Sequence, residues 1–278
     1  NINMTITPSP AAIHHARTRS RSHLTPADLA AITRGGAPQS ASDPTHTWRY
    51  ESRRDAQPVL EYLYLGPTSV VRDRAFLARA GITMVLVARD ARFAGVAARL
   101  TAGLRRAVDG LGVEVEAVDV ADARALVAVF ATAGGVVNGH LLGKERQGAR
   151  GRVLVCCETG NDRSAAIVAA YLMAMFGLDT VRAVQFMLLQ RFCVTMGDDT
   201  KFALQAYGDI LRARGDVAAG DQGLQGGGGR NGAGVAGSRT KRRIEETSGD
   251  AGEDQTDGMM GAMDADRYVG RSFAPFIE

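Results

Sequence analysis

The stretch VLVCCETGNDRSAAIVAAYLM, from Val153 to Met173, decides how this chain is read. Val153 to Cys156 are apolar without alternation, the pattern of a strand buried on both faces of a parallel sheet. From Ser164 to Phe176 the pattern becomes a long, Ala-rich apolar run ended by Gly177, which is a helix with a glycine stop. Between them lies the loop Cys157-Glu158-Thr159-Gly160-Asn161-Asp162-Arg163. A loop that leaves a strand and opens a helix turns its backbone N–H groups and the positive end of the helix toward one point, so an anion is favoured there.

The side chains of the loop fit a phosphate. Gly160 lets the backbone curl without a Cβ clash. Arg163, planar and always charged, is suited to gripping two phosphate oxygens. Cys157, with five residues between it and Arg163, meets the same positive potential, which lowers its pKa and favours the thiolate. In-line attack on a phosphate ester would then form a phosphocysteine, with Ser164 donating a hydrogen bond to the sulfur. The candidate phosphate-binding set is Glu158, Thr159, Gly160, Asn161, Asp162 and Arg163. The departing oxygen needs a general acid from another loop at the same end of the sheet. Asp119, after the third strand, is the first candidate and Asp122 the second. A Cys-x5-Arg spacing alone is a weak signal in an Arg-rich chain, but the strand, glycine, serine and helix around it agree on one template.

Working outward, strands are expected at Tyr62–Leu65, ended by Gly66-Pro67, at Ile82–Ala88 and at Val113–Val118, where alternation with Glu114 and Glu116 marks a wet face or an edge. Helices are expected over Ser69–Ala80, over Phe93–Leu111 with breaks at its glycines, over Arg124–Leu142, from Asp179 or Thr180 to Gln190, and over Lys201–Leu211. Strands alternating with helices give an α/β domain, with a central, mostly parallel sheet flanked by helices. Its ligands belong at the carboxyl ends of the strands, where Cys157 falls. The domain is expected over 48–214, with Trp48–Leu60 packing onto it as a lead-in segment. Residues 1–47, rich in Ser, Thr, Pro and Arg, read as a disordered N-terminal arm, and 215–278 as a Gly-rich linker and charged, disordered tail. In that tail Arg239–Arg243 reads as solvated charge or a nuclear localisation signal, and the aromatics of Arg267–Ile277 as an undocked end or a docking segment.

A net charge of +3 over 278 residues, with both signs interspersed, gives no field that argues for nucleic acid. The longest apolar run, Ala165 to Phe176, is too short for a bilayer of roughly 30 Å, so no membrane is expected. Three cysteines, Cys156, Cys157 and Cys193, make a poor disulfide framework, which favours a reducing compartment, the cytoplasm or nucleus. Cys156 and Cys193 read as core thiols, His140 as a satisfied helix residue, and no Cys/His spacing supports zinc. None of these motifs encodes an oligomeric state.

From about Trp48 to Arg214 the chain resembles a dual-specificity phosphatase domain of the cysteine-dependent protein tyrosine phosphatase family. The residues that carry the resemblance are YLYLGP at 62–67, GITMVLV at 81–87, Asp119, VLVCCETGNDRSA at 153–165 and AAYLM at 169–173. It implies hydrolysis of phosphotyrosine, with phosphoserine and phosphothreonine as the wider class, on a phosphorylated protein. In it Cys157 is the nucleophile, Arg163 the phosphate ligand and Asp119 the acid, with no metal or organic cofactor. Active members usually carry His immediately before the nucleophile, where this chain has Cys156, and two carboxylates, Glu158 and Asp162, sit inside the loop. Pointed inward, those carboxylates would repel phosphate and raise the Cys157 pKa. RFC at 191–193 is also similar to the pseudophosphatase branch, the serine/threonine/tyrosine-interacting proteins, which bind phosphoproteins or ubiquitin-ligase components without turnover. That branch lacks the nucleophile that this chain keeps. The alternative to an enzyme is therefore a scaffold that holds a phosphoprotein.

Overall fold

A computed structural model describes residues 3–21 and 23–225. In chain order the elements are β1 (Asn3–Ile6), α1 (Ala12–His15), α2 (Pro26–Ile32), β2 (Gln39–Ser42), β3 (Gln57–Leu60), β4 (Leu63–Pro67), α3 (Arg74–Ala80), β5 (Met84–Asp90), α4 (Ala94–Ala107), β6 (Glu114–Val120), α5 (Ala123–Arg146), β7 (Val153–Cys157), α6 (Arg163–Phe176), α7 (Thr180–Gln190) and α8 (Asp198–Gln225). Short 3-10 turns at Tyr50–Arg54, Thr68–Arg72 and Ala91–Phe93 join some of them. The main sheet runs β3-β4-β7-β5-β6, parallel except for the β3–β4 hairpin.

The strand that carries the loop lies at the centre of that sheet because its sequence has no wet face. Every residue of β7 is buried, with β4 on one side and β5 on the other. Val153, Val155 and Cys157 pack into the larger core beneath α5 and α6, while Leu154 and Cys156 face the smaller core of α3 and α4. Each Val or Leu buried in this way is worth about 1.5–3 kcal/mol relative to exposure. β6, with its alternating glutamates, forms the edge and pairs only with β5.

Local chemistry fixes the element ends. Asp73, Asp122 and Asp179 accept N-cap hydrogen bonds from the backbone N–H of Phe76, Ala125 and Arg182. Gly81 and Gly177 close α3 and α6 in the left-handed region. At the opposite end of the strands from the loop, buried His140 bonds Thr83 Oγ1 through Nε2 at 2.8 Å and meets Glu114 Oε2 through Nδ1 at 3.3 Å, pinning α5 to β5 and β6.

The structure corrects three expectations. The N-terminal 47 residues are not a disordered arm: β1 pairs antiparallel with β2, and α2 opens with a Thr25–Asp28 capping box. Ile6, Ala12, Ala16, Leu24, Ile32 and Ala41 enter the larger core one at a time, so no period announces them. Backbone contacts secure the segment, with Ser9 N–H donating to Met175 O at 2.9 Å and Asn138 donating to Arg17 O at 3.0 Å. The lead-in segment supplies a strand, β3, at the edge of the main sheet. Helix α4 runs through Gly95 and Gly103 without a break, and α8 continues to Gln225, past the expected boundary at 214. The basic run 239–243 and the aromatic end 267–277 lie outside the described residues.

One helix, over Arg124–Arg146, is long and apolar enough to cross a membrane by length and composition. Here Leu126, Phe130, Ala133, Val137 and Leu141 are spent in the core of the domain.

Candidate active site

Cys157 ends β7 at the centre of the sheet and is 2% exposed. Ser164, fully buried in the first turn of α6, donates its hydroxyl to Cys157 Sγ at 3.0 Å. Burial alone would raise the thiol pKa. The Ser164 hydroxyl, and beyond it the backbone N–H groups of Ser164, Asp162 and Gly160, favour the thiolate enough to outweigh burial and hold Cys157 below the ordinary thiol value. The loop turns back on itself at Gly160, whose φ is +73°. Cys156, one residue earlier and facing the other core, has no such donors, and burial pushes its thiol far up.

The curl depends on close backbone packing. Gly160 has φ +73°, and a Cβ there would lie 2.3 Å from the carbonyl carbon of Gly66 and 2.7 Å from Pro67 N. Gly66 is similarly confined, with a built Cβ only 2.6 Å from Ala56 Cβ. The Gly66-Pro67 stop that ends β4 is thus the floor on which the loop rests.

A second support is Arg191, which no spacing argument singled out. It follows α7, is 0% exposed, and its guanidinium sits behind the loop. Nε donates to Gly160 O at 3.1 Å, and Nη2 donates to Thr159 O at 3.1 Å and to Asn161 Oδ1 at 3.0 Å. On its other side Nη1 donates to Asp55 O at 2.8 Å and to Gln57 Oε1, and Nη2 to Arg53 O at 2.9 Å. One buried cation therefore ties the loop carbonyls to the lead-in segment and leaves the loop N–H groups free to face the sulfur. Asn161 is held again by Cys193, whose thiol lies 3.2 Å from Oδ1, and through its carbonyl by Thr195 N–H at 3.0 Å. The signals available in sequence were an arginine directly after an apolar helix and the RFC at 191–193, neither of which reports that the side chain turns inward.

The model of the dual specificity phosphatase catalytic domain matches residues 63–210, more than half of the chain. The chain belongs to the dual specificity phosphatase family. Serine/threonine/tyrosine-interacting protein B of Xenopus laevis is 29% identical over 171 residues, 60% of this chain and 70% of that protein. Dual specificity protein phosphatase 26 of Homo sapiens is 34% identical over 132 residues, 47% of this chain and 56% of that protein. Among solved structures, the human tyrosine phosphatase-like serine/threonine/tyrosine-interacting protein is 26% identical, with coverage of 56% of this chain and 97% of that one and a TM-score of 0.43.

Within this phosphatase-family domain the remaining candidate residues fall as follows. Glu158, Thr159 and Asp162 are exposed, and Asp162 Oδ1 accepts from Thr200 Oγ1 on α8 at 3.4 Å. Neither carboxylate is paired with Arg163 among the described residues. The side chain of Arg163 is 24% exposed at the start of α6, beside the loop it was expected to serve.

Asp119 is the exception. It stands directly opposite Arg89 in the β5–β6 register, and residue pairs in register project from the same face. Val87 pairs with Cys156, so Arg89 and Asp119 project from the face of Cys156 rather than that of Cys157. Arg89 binds the Asp119 carboxylate with both edges of its fork, Nε to Oδ1 at 2.7 Å and Nη2 to Oδ2 at 2.6 Å. The structure therefore brings Cys157 and Ser164 together, sets Arg163 at the start of α6 against Asp90, and leaves Asp119 engaged elsewhere. Asp122, the second candidate, is occupied as the N-cap of α5, its Oδ1 accepting from Ala125 N–H at 2.8 Å.

Proposed function

We propose that the domain is a cysteine-dependent phosphatase that hydrolyses phosphotyrosine on a phosphorylated protein. The observation that carries this reading is the buried Cys157 sulfur at the end of the central strand, accepting the Ser164 hydroxyl at 3.0 Å, with the thiol held below its ordinary value. The thiolate attacks phosphorus in line, forming the S–P bond as the P–O ester bond breaks with its electron pair going to the departing oxygen. Arg163 and the loop N–H groups bind the non-bridging oxygens. Water then attacks the phosphocysteine, releasing inorganic phosphate and restoring the thiolate, whose charge the Ser164 hydroxyl stabilises.

The ion pair between Asp119 and Arg89 shapes substrate choice. Both carboxylate oxygens of Asp119 are taken by Arg89, so Asp119 reaches a leaving group only after leaving Arg89. Until then the leaving group departs unassisted, which a phenolate of pKa about 10 tolerates far better than the more basic alkoxides of serine and threonine. Aryl esters are accordingly the favoured class and alkyl esters the poor one. The three free cysteines support a reducing compartment, which we take to be the cytoplasm or nucleus.

A second reading has its own support. Cys156 in place of the usual histidine, the two loop carboxylates and the engaged Asp119 favour a slow or silent member that holds a phosphoprotein, as does the likeness to the serine/threonine/tyrosine-interacting proteins. The experiment that separates the two is hydrolysis of p-nitrophenyl phosphate and phenyl phosphate by the full chain, beside Cys157→Ser. The enzyme reading expects turnover that Cys157→Ser abolishes. It also expects Asp119→Asn to leave both rates nearly unchanged, because Arg89 keeps the Asp119 carboxylate away from the leaving group. Equal rates with and without the sulfur, or a folded wild type without turnover, remove it in favour of the scaffold.

A further inference from the structure

Arg163, which ends the loop and opens α6, is itself held by a carboxylate. Arg163 places Nη1 3.6 Å from Asp90 Oδ2, at side-chain exposures of 24% and 17%. Asp90 ends β5, the strand beside β7, so the contact bridges two neighbouring strand ends at the mouth of the loop. Asp90 is fixed in turn by Arg92. The Nε and backbone N–H of Arg92 each reach Asp90 Oδ1 at 3.0 Å, and Nη2 reaches Oδ2 at 2.7 Å.

Three features of this chain, Arg92–Asp90–Arg163, narrow what it does. The Arg92 side chain first, and then the charge of Arg163, pull the Asp90 acid down to about 2, so Asp90 is a permanent anion and no proton donor. The contacts to Arg92 are the short ones and that to Arg163 the long one, so Asp90 spends its charge chiefly on Arg92. Two cations share one anion, which leaves a net positive cluster beside the loop. Arg163 offers only Nη1 to Asp90, and among the described residues its Nε and Nη2 make no hydrogen bond.

We propose that Asp90 is a positioning residue of the phosphate site, holding the Arg163 guanidinium by Nη1 so that its Nε–Nη2 edge remains for two oxygens of a phosphate or other tetrahedral oxyanion. The proposal rests on the reading of the loop as a phosphate cradle. Without Asp90, a long side chain in the first turn of α6 has many rotamers, and binding must order it anew. Arg92 acts one step further out by fixing the rotamer of Asp90.

Tungstate, an inert tetrahedral oxyanion, tests this without requiring turnover. Its affinity for the full chain is measured calorimetrically for wild type, Asp90→Asn, Asp90→Glu and Arg92→Ala. Asparagine keeps the shape and the oxygen that caps the Ala91–Phe93 turn, so it removes the charge while sparing the local fold. Asp90→Asn should weaken tungstate about three- to tenfold with an unchanged melting temperature, the scale of a partly exposed ion pair. Arg92→Ala should weaken it less, and Asp90→Glu should recover part of the loss. Asp90→Asn with wild-type affinity overturns the proposal, and tighter binding would make Asp90 a rival of the ligand instead. A folded wild type that binds no tungstate overturns the phosphate-cradle reading itself, a distinguishable failure.

Discussion

Arg191→Ala should cost the domain about 3–5 kcal/mol and disassemble the loop around Cys157. The side chain is 0% exposed and is the sole hydrogen-bond donor that reaches the Thr159, Arg53 and Asp55 carbonyls among the described side chains. Truncation takes this donor from the carbonyls of Thr159, Gly160, Arg53 and Asp55, of which Gly160 is buried, and opens a cavity the size of a guanidinium. The total falls in the range seen when one side of a buried charged network is removed. For a domain of this size that corresponds to a fall in melting temperature on the order of 10 °C. Arg191→Lys should recover only part of it, because an ammonium group cannot span carbonyls on two sides as a planar fork does. Thermal unfolding of the three proteins checks this, and an alanine variant within about 2 °C of wild type would remove Arg191 as the support of the loop.

Gly160→Ala should have the opposite profile, with a modest loss of stability and a nearly complete loss of site function. The position needs φ +73°, which costs a non-glycine residue about 1–2 kcal/mol, and the new methyl would stand 2.3 Å from backbone that cannot rotate away. The loop has one way out, lifting from the Gly66-Pro67 floor. Lifting takes the N–H groups of Gly160 and Asp162 off the sulfur while β7 and α6 remain packed. Hydrolysis of an aryl phosphate should fall by about a hundredfold or more, the scale of losing an oxyanion donor, and tungstate binding should fall with it. Activity near the wild-type level would show that the loop does not depend on this contact. The glycine of YLYLGP is thereby explained, since Gly66 is squeezed between Ala56 and Gly160 and a side chain at either glycine spoils the same junction.

Much of this was legible in the sequence where one physical signal dominated. An unbroken apolar strand, a left-handed glycine and an aspartate cap each have a local cause, so β7, the loop, Gly81, Gly177 and Asp179 could be placed from residues alone. What escaped depends on partners distant in sequence. The N-terminal segment buries single residues such as Ile6 and Leu24 in a core built by α5 to α8, and its polar background conceals them. Arg191 looked like the polar end of a helix because its acceptors lie more than thirty or a hundred residues away. Asp119 was expected just after the third strand and lies inside β6, one residue before its end, where the sequence does not report which face a carboxylate takes or that Arg89 stands opposite it. Asp90 carried no motif at all. It matters because β5 and β7 are neighbours in the sheet though not in the chain.

The central claim is that this loop turns a buried cysteine into a thiolate nucleophile, and the pH dependence of alkylation at Cys157 tests it most directly. Iodoacetamide reacts with the thiolate, so the rate at each cysteine rises with pH through its own pKa. Peptide mapping after timed alkylation separates Cys157 from Cys156 and Cys193, whose thiols burial raises. The predicted result is a Cys157 midpoint below that of an ordinary thiol near 8.5, moving upward in Ser164→Ala, which removes the donor at 3.0 Å. A midpoint at or above the ordinary value in the folded wild type, unmoved by Ser164→Ala, would contradict the account.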